Sequence, residues 1–303
     1  MRVIGIDENG LGPLLGPLVV TGVAFDAPGY DRDGTWSLTG ADLPAGDSKR
    51  VWVRRRPAAG ENAVRRWLAL LGAEAGDHAA LLGALGLPPP VPAPCAAIPP
   101  CCAPVEGTLP RWDAADVALS PGVRDRFDRA RIRPAGIRAA VLCPGAFNRA
   151  LRAGHGNKLR LDCELMLAVL EILAPEDPAE PVLALLGKVG STRIYGPWLE
   201  AAFPGGVETL EESPEISRYR ATGRKVDVHF VRDGDALHLP VAVASMIGKY
   251  LRELAMHRLA AALGAGDDPP SGYRDRRTRK FVESSAPQRV ALGLPDSCFL
   301  RAK

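Results

Sequence analysis

The sequence predicts an α/β protein built on a partly parallel sheet with crossover helices. Two observations point there. From Gly136 onward, short apolar runs at 136–143, 181–186 and 226–231 read as strands, and they alternate with helical periodicity at 157–173 and 241–263. Near the start, 3–6 and 18–25 are two apolar strands separated by a glycine-rich turn, which makes a hairpin the economical arrangement.

The hairpin carries the first chemistry. The strand 3–6 runs into two adjacent carboxylates, Asp7 and Glu8. Neighbouring side chains of a strand face opposite ways, so at least one of the pair overlooks the sheet end. Gly10, Gly12 and Gly16 follow, where glycine lets a ligand approach the backbone. Acids beside such a turn suit a hard cation and a phosphate. Gly10-x-Gly12-x-x-x-Gly16 is not a dinucleotide fingerprint: it has one residue too many, and Pro13 and Pro17 oppose a helix. A structural hairpin with solvated acids fits the spacing equally well.

Length and composition bound the rest. A chain of 303 residues with 47% hydrophobic content can bury a full core, read here as a single domain over 1–303. A net charge of +3 imposes no global field toward nucleic acid, so local clusters of cations matter more. No run of eighteen apolar residues exists, and no signal peptide precedes the first strand, which points to a cytoplasmic protein without a membrane span. The cysteines are Cys95, Cys101, Cys102, Cys143, Cys163 and Cys298, with no Cys-x-x-Cys pair, and they read as reduced thiols. A zinc site at Cys95, Cys101 and Cys102 would lack a histidine or fourth cysteine at ligand spacing.

The remaining elements follow in order. A short strand is expected at 35–38. Asp47 or Ser48 is a good N-cap for a basic helix that Pro57 limits, with Lys49 in its first turn. From about 72 to 130 the composition shifts to Ala, Pro and Gly, and the proline run from Pro88 favours extended geometry. This stretch reads as an insertion, partly irregular, and helical at most over 112–130. Helices are expected at 144–151 and 197–202, and a strand at 207–210. The helix 241–263 shows an apolar face of Val243, Ile247, Tyr250, Leu251 and Leu254. Ala242, Ser245, Lys249 and Arg252 form a second stripe, open to nucleic-acid backbone or to the acidic loops. A solvated face with Glu253 pairing locally is the simpler account of that stripe taken alone. Residues 271–280 hold five cations and one acid beside Tyr273, in what reads as a basic loop.

Four separated segments together resemble one family, bacterial type 2 ribonuclease H (ribonuclease HII). Asp7-Glu8 with Gly10-Leu11-Gly12 is similar to its opening Asp-Glu and Gly-Arg-Gly signature. Asp47-Ser48-Lys49 is similar to its Asp-Ser-Lys loop. Gly234-Asp235, then Ala244-Ser245 through Lys249 to Arg252, resembles its Gly-Asp pair and Ala-Ser-x-x-x-Lys-x-x-Arg helix. Ser271-Gly272-Tyr273 resembles its Gly-Tyr loop.

The resemblance implies a ribonuclease H-like mixed five-stranded sheet flanked by helices, with a C-terminal helical part. It implies a metal-dependent endonuclease acting on RNA–DNA hybrids, or 5′ to a ribonucleotide embedded in duplex DNA, with no obligate protein partner. Two divalent cations, Mg2+ or Mn2+, would be held by Asp7, Glu8 and Asp235, which would also be the catalytic residues. The backbone of Gly10, Leu11 and Gly12 would read the 2′-hydroxyl. Tyr273 would stack on the sugar, and Lys49, Lys249 and Arg252 would meet phosphate or order the acids. The family's fourth carboxylate, an aspartate ending the strand 182–186, is Gly187 here, and Leu11 replaces its arginine. Asp233 is a nearby acid that could stand in for it. The alternative implied by Gly187 is a catalytically impaired relative that binds the same nucleic acid. An unrelated small-molecule enzyme would require Asp7, Glu8 and Asp235 to lie far apart.

Overall fold

The structure is a computed structural model that describes residues 1–52, 56–87, 108–112, 118–177, 179–266 and 268–302, without the side chains of 49, 87, 154 and 155. Its strands are β1 (Arg2–Asn9), β2 (Leu18–Asp26), β3 (Gly86–Leu87), β4 (Arg133–Leu142), β5 (Val182–Gly187), β6 (Val207–Glu212), β7 (Ile216–Ala221) and β8 (Val226–Val231). They form one sheet in the order β3-β4-β2-β1-β5-β8-β7-β6. β1 pairs antiparallel with β2 and parallel with β5, which pairs parallel with β8. The sheet is therefore mixed, as expected, but it has eight strands rather than five. The strands β4-β2-β1-β5-β8 are its continuous middle. A β6–β7 hairpin extends one edge, and the two-residue β3 sits on the other.

The helices are α1 (Ser48–Val51), α2 (Pro57–Leu70), α3 (His78–Leu85), α4 (Pro121–Ala130), α5 (Pro144–Ala150), α6 (Lys158–Leu173), α7 (Gly196–Ala202), α8 (Gly234–Leu237), α9 (Leu239–Ala262), α10 (Arg276–Ser284), α11 (Ala286–Ala291) and α12 (Asp296–Phe299). On one face, α9 and α2 cover Val3, Val19, Val23 and Leu185. On the other, α5, α6 and α7 cover Ile4, Ile6, Val20, Leu186 and Phe230. A third cluster joins Leu15 and the far end of α9 to Phe281, Leu294 and Phe299, the expected C-terminal helical part.

Two expectations need correction, and the strand β7 was not foreseen. Residues 35–38 form turns and irregular backbone instead of a strand, and Trp36 and Leu38 are buried from there. The basic stretch 271–280 is not all loop: Asp275 caps α10 by accepting from Thr278 N–H, so Arg276 to Lys280 lie on a helix. β7 escaped sequence reading because its inward positions are Ser217, Tyr219 and Ala221, with arginines between them. Within the insertion, α3 and α4 are regular, and the proline run with Cys95, Cys101 and Cys102 falls outside the described residues. Cys163 is a buried free thiol. Among the described residues no helix is long and apolar enough to cross a membrane.

The close approach of α9 to β1 has a simple cause. A Cβ on Gly5 would lie 2.1 Å from the carbonyl carbon of Pro240. A Cβ on Gly248 would lie 2.1 Å from Asn9 Oδ1. Gly5 needs glycine because the helix backbone itself fills that space, while Gly248 makes room for the Asn9 and Thr21 side chains.

One buried acid fastens the insertion to this layer. Glu61 on α2 is fully buried and accepts from the N–H of Arg111 at 2.7 Å, the N–H of Trp112 at 2.8 Å and the hydroxyl of Tyr250 at 2.7 Å. Removing the acceptor strands three donors, so Glu61→Ala should lower stability by about 3 kcal/mol or more, read as a shift in urea unfolding free energy. Glu61→Gln, which keeps one acceptor oxygen, should lose less than half as much.

Candidate active site

Strand alternation decides where the two adjacent acids go. Val3 packs under α9 and Ile4 and Ile6 under α6, so Asp7 faces the α9 side and Glu8 the α6 side. Both lie within β1 rather than beyond its end. Asp7 is hydrogen-bonded to Ser245 on α9 and has Glu8 and Asp235 as charged neighbours. Its carboxyl pKa is pushed well up, chiefly by burial and further by Glu8 and Asp235, against the pull of the Ser245 hydrogen bond. Glu8 Oε2 accepts from Leu11 N–H at 3.0 Å, which ties the acid to the following turn.

Asp235 enters from α8, one residue after Gly234. Asp7, Glu8, Gly10, Asp235, Lys249, Arg252 and Tyr273 all line one cleft of about 480 Å³, with Ser48, Gly187 and Ser245. These residues come from six parts of the chain, so the cleft is made only by folding. The arrangement removes the ground for an unrelated enzyme with dispersed acids.

The turn 10–16 is held by buried groups. Gly10 adopts φ +97° and Gly16 φ +81°, conformations that favour glycine. Leu14 and Leu15 donate backbone hydrogen bonds to Gly272 O at 2.8 and 3.1 Å. Arg252 is 3% exposed and donates to Leu15 O and Ser271 O, so it joins the turn to the loop that carries Tyr273. Its guanidinium lies 5.8 Å from the Tyr273 ring. Arg252 thus organises the wall of the cleft. Tyr273 is 52% exposed, and its ring stands 3.8 Å from where a Cβ on Gly12 would be. Leu11 turns inward and packs on the α6-side core.

Lys249 pairs with Glu253 at 2.6 Å, the local pairing that the simpler account of the stripe requires. Ser245 and Arg252 of the same stripe are buried, however, so the stripe is not a solvated face. Ser245 Oγ donates to Ser48 Oγ at 3.1 Å, which fastens the Asp47-Ser48-Lys49 segment to α9. Lys49 lies in α1, and its side chain is outside the described set.

Gly187 ends β5 beside Asp7. A Cβ there would stand 2.4 Å from Asp7 Oδ1, so the Asp7 carboxylate occupies the space that a side chain at 187 would claim. Asp233 lines the same cleft, but its side chain is 77% exposed and pairs with Arg232 at 3.7 Å. It does not replace a strand-end acid beside Asp7.

Whether these residues suit a divalent cation can be tested on the donor set. The donors are all oxygen, and Asp7 has two further carboxylates near enough to raise its pKa, a repulsion that a cation relieves. Among the described residues, no three His, Cys, Asp or Glu side chains converge on a single metal position. The set therefore fits a hydrated ion held by one or two carboxylates with substrate phosphate completing its shell, and does not fit an all-protein cage.

Two buried residues escaped the sequence reading. Asp162 on α6 is fully buried, and neither carboxylate oxygen has a hydrogen-bond partner. Burial pushes its pKa well up, Glu8 and Asp7 add to this, and Arg301 opposes. An acid among Leu161, Leu165 and Met166 was the available signal. Arg301, one of two cations past α12, offered none.

Residues 206–294 match the family model described as Ribonuclease HII. That span contains Gly234-Asp235, the Ser245–Arg252 stripe and Tyr273, and the resemblance is shown there. Asp7, Glu8, the glycine turn and Asp47-Ser48-Lys49 fall outside it. Among solved structures, the chain is similar to RNase HII of Archaeoglobus fulgidus, determined as a PCNA:RNase HII complex. That likeness has 20% identity, a TM-score of 0.46, and covers 100% of this chain and 95% of that one. It is also similar to ribonuclease H2 of Pyrococcus horikoshii, with 16% identity, a TM-score of 0.45 and coverage of 98% and 92%. A third similar structure is Bst-RNase HIII in complex with Mn2+, with 17% identity, a TM-score of 0.46 and coverage of 99% and 66%. No curated protein matches the sequence.

Asp162 yields a prediction with a definite sign. An acid whose folded pKa is raised binds its proton more tightly when folded, so stability falls as pH rises from the ordinary carboxylate value of 3.8 through the raised one. Asp162→Asn removes that penalty. The variant should match the parent near pH 4 and exceed it by roughly 1–3 kcal/mol at pH 8, measured by urea unfolding without divalent ions. Equal stability at both pH values would mean that Asp162 is already compensated.

Proposed function

We propose that this divergent relative of ribonuclease HII is a nuclease of the ribonuclease H type. It hydrolyses the RNA strand of RNA–DNA hybrids, or the phosphodiester 5′ to a ribonucleotide embedded in duplex DNA. What supports this reading most is that Asp7, Glu8 and Asp235 line one cleft with Gly10, the first residue of the glycine turn, and the exposed Tyr273 ring.

The chain's own residues divide the work. Asp7 and Asp235 form the acidic floor, and Ser245 holds the Asp7 carboxyl in place. A divalent cation, Mg2+ or Mn2+, bound to these carboxylates would supply activation of the attacking water and stabilisation of the leaving oxygen. The exposed Gly12 end of the Gly10–Gly12 backbone would tell a 2′-hydroxyl from a hydrogen, and Glu8 keeps the turn in register through Leu11 N–H. Tyr273 presents a ring face for stacking on the nucleotide at that position. Lys249, at the edge of the cleft, meets phosphate when it leaves Glu253.

A second reading is favoured by Gly187. With no acid there, and with no three carboxylates among the described residues meeting at a single metal position, the protein would bind hybrid or ribonucleotide-containing duplex without cutting it. One assay separates the two: a duplex with one ribonucleotide, supplied with magnesium and then manganese. The nuclease reading expects cleavage by the parent and at least about a hundredfold less from Asp7→Asn and Asp235→Asn. A silent parent that gains cleavage as Gly187→Asp, where the new side chain displaces the Asp7 carboxylate, supports the binding reading. Inactivity in every variant would remove these residues from the active site.

Tyr273→Ala gives an independent check. Losing a stacking face should weaken binding of the same duplex by about tenfold while the melting temperature stays near that of the parent.

A further inference from the structure

The Gly10–Gly12 turn is held from behind by Arg301, which lies just past α12 and outside the family-matched span. Arg301 is 2% exposed. One terminal nitrogen donates to Gly10 O, and the other donates to Leu11 O at 2.7 Å. Its backbone N–H donates to Leu14 O at 2.9 Å, and its guanidinium stacks 4.1 Å over the Phe147 ring. The segment that carries it is anchored in turn. Asn148 on α5 donates to Ser297 O and Leu300 O and accepts from Ala302 N–H, all within 2.8 Å. Lys158, the first residue of α6, donates to Ala302 O at 2.6 Å.

A guanidinium buried this deeply is retained only where hydrogen bonds and counter-charges answer it. The two carbonyls supply the first, and Glu8 and Asp162 stand near enough to favour the charged form. The consequence for the turn follows from peptide geometry. A trans peptide is planar, with C=O and N–H on opposite sides. Drawing the carbonyls of Gly10 and Leu11 inward turns the N–H groups of Leu11 and Gly12 the other way. Glu8 takes the first. The second belongs to an exposed residue beside Tyr273.

We propose that Arg301 is a positioning residue that sets the direction of the peptide dipoles in the Gly10–Gly12 turn, and so sets how well the site distinguishes a ribonucleotide from a deoxyribonucleotide. This rests on the nuclease reading above. It concerns recognition rather than the hydrolytic step, and it distinguishes arginine from lysine. A planar fork serves two carbonyls at once, whereas an ammonium is a point charge on a flexible stem.

The test is equilibrium binding by fluorescence anisotropy, without divalent ions, to a duplex with one ribonucleotide and to its all-DNA counterpart. The parent, Arg301→Lys and Arg301→Ala are compared, each with a circular-dichroism melt. The parent should prefer the ribonucleotide duplex. Arg301→Lys, which keeps the charge and the fold, should reduce that preference about tenfold, with affinity for all-DNA duplex within about threefold of the parent. Arg301→Ala should do the same if it folds, and Arg301→Lys decides if it does not. A folded Arg301→Lys that keeps the parental preference overturns the proposal. So does an equal loss of affinity for both duplexes, which marks a merely structural role. A parent with no preference overturns the nuclease reading itself, and this inference with it.

Discussion

The closeness of α9 to β1 governs most of what this molecule can do. A helix normally stands off a sheet by the length of its side chains. Here Gly5 lets the helix backbone at Pro240 and Val241 come down onto the strand, and Gly248 leaves room for the side chains of Asn9 and Thr21. Ser245 is thereby brought to the Asp7 carboxyl and to Ser48, and Arg252 is brought beneath the glycine turn. The cleft inherits its geometry from this packing. A larger residue at either glycine would lift the helix and separate the groups that line the site.

The same packing gathers charge away from water. Asp7 and Asp162 carry carboxyls that burial drives toward the protonated form, while Arg252 and Arg301 are buried cations committed to backbone carbonyls. Such groups seldom contribute net stability, because desolvation offsets much of their attraction. Their effect here is positional. The two arginines approach the glycine turn from α9 and from beyond α12, and fix a segment whose three glycines would otherwise leave it free to choose among many conformations.

Around this centre the sheet has been widened without disturbing the site. The β6–β7 hairpin supplies Ser213 O and Ser217 Oγ to Lys188, and the Tyr219 hydroxyl oxygen accepts from Tyr195 N–H in the segment after β5. Tyr195 in turn stacks flat on Phe230 at 3.7 Å and accepts from Val189 N–H. The added strands therefore brace the end of β5, where Gly187 meets Asp7. The insertion is braced separately, through Glu61.

Much of this was legible in the residues. Period-2 and period-3.6 patterns located β1, β2, β4, β5, β8, α6 and α9 to within a few residues, because those elements are long and bury a continuous apolar face. β7 was not legible, since two of its three inward residues are small and its outward ones are charged. The acids at 7 and 8 and the glycines of the turn drew notice as a local cluster, Asp235 and the stacking role of Tyr273 only through the family resemblance, and the structure lines Asp7, Glu8, Gly10, Asp235 and Tyr273 along one cleft. The sequence alone determined the elements and the inventory of reactive groups. Tertiary structure decided the rest: that Asp7 occupies the space open at Gly187, that Arg252 holds loops, and that Arg301 reaches Gly10. Those facts depend on contacts between residues far apart in the chain, and local periodicity carries no information about such contacts.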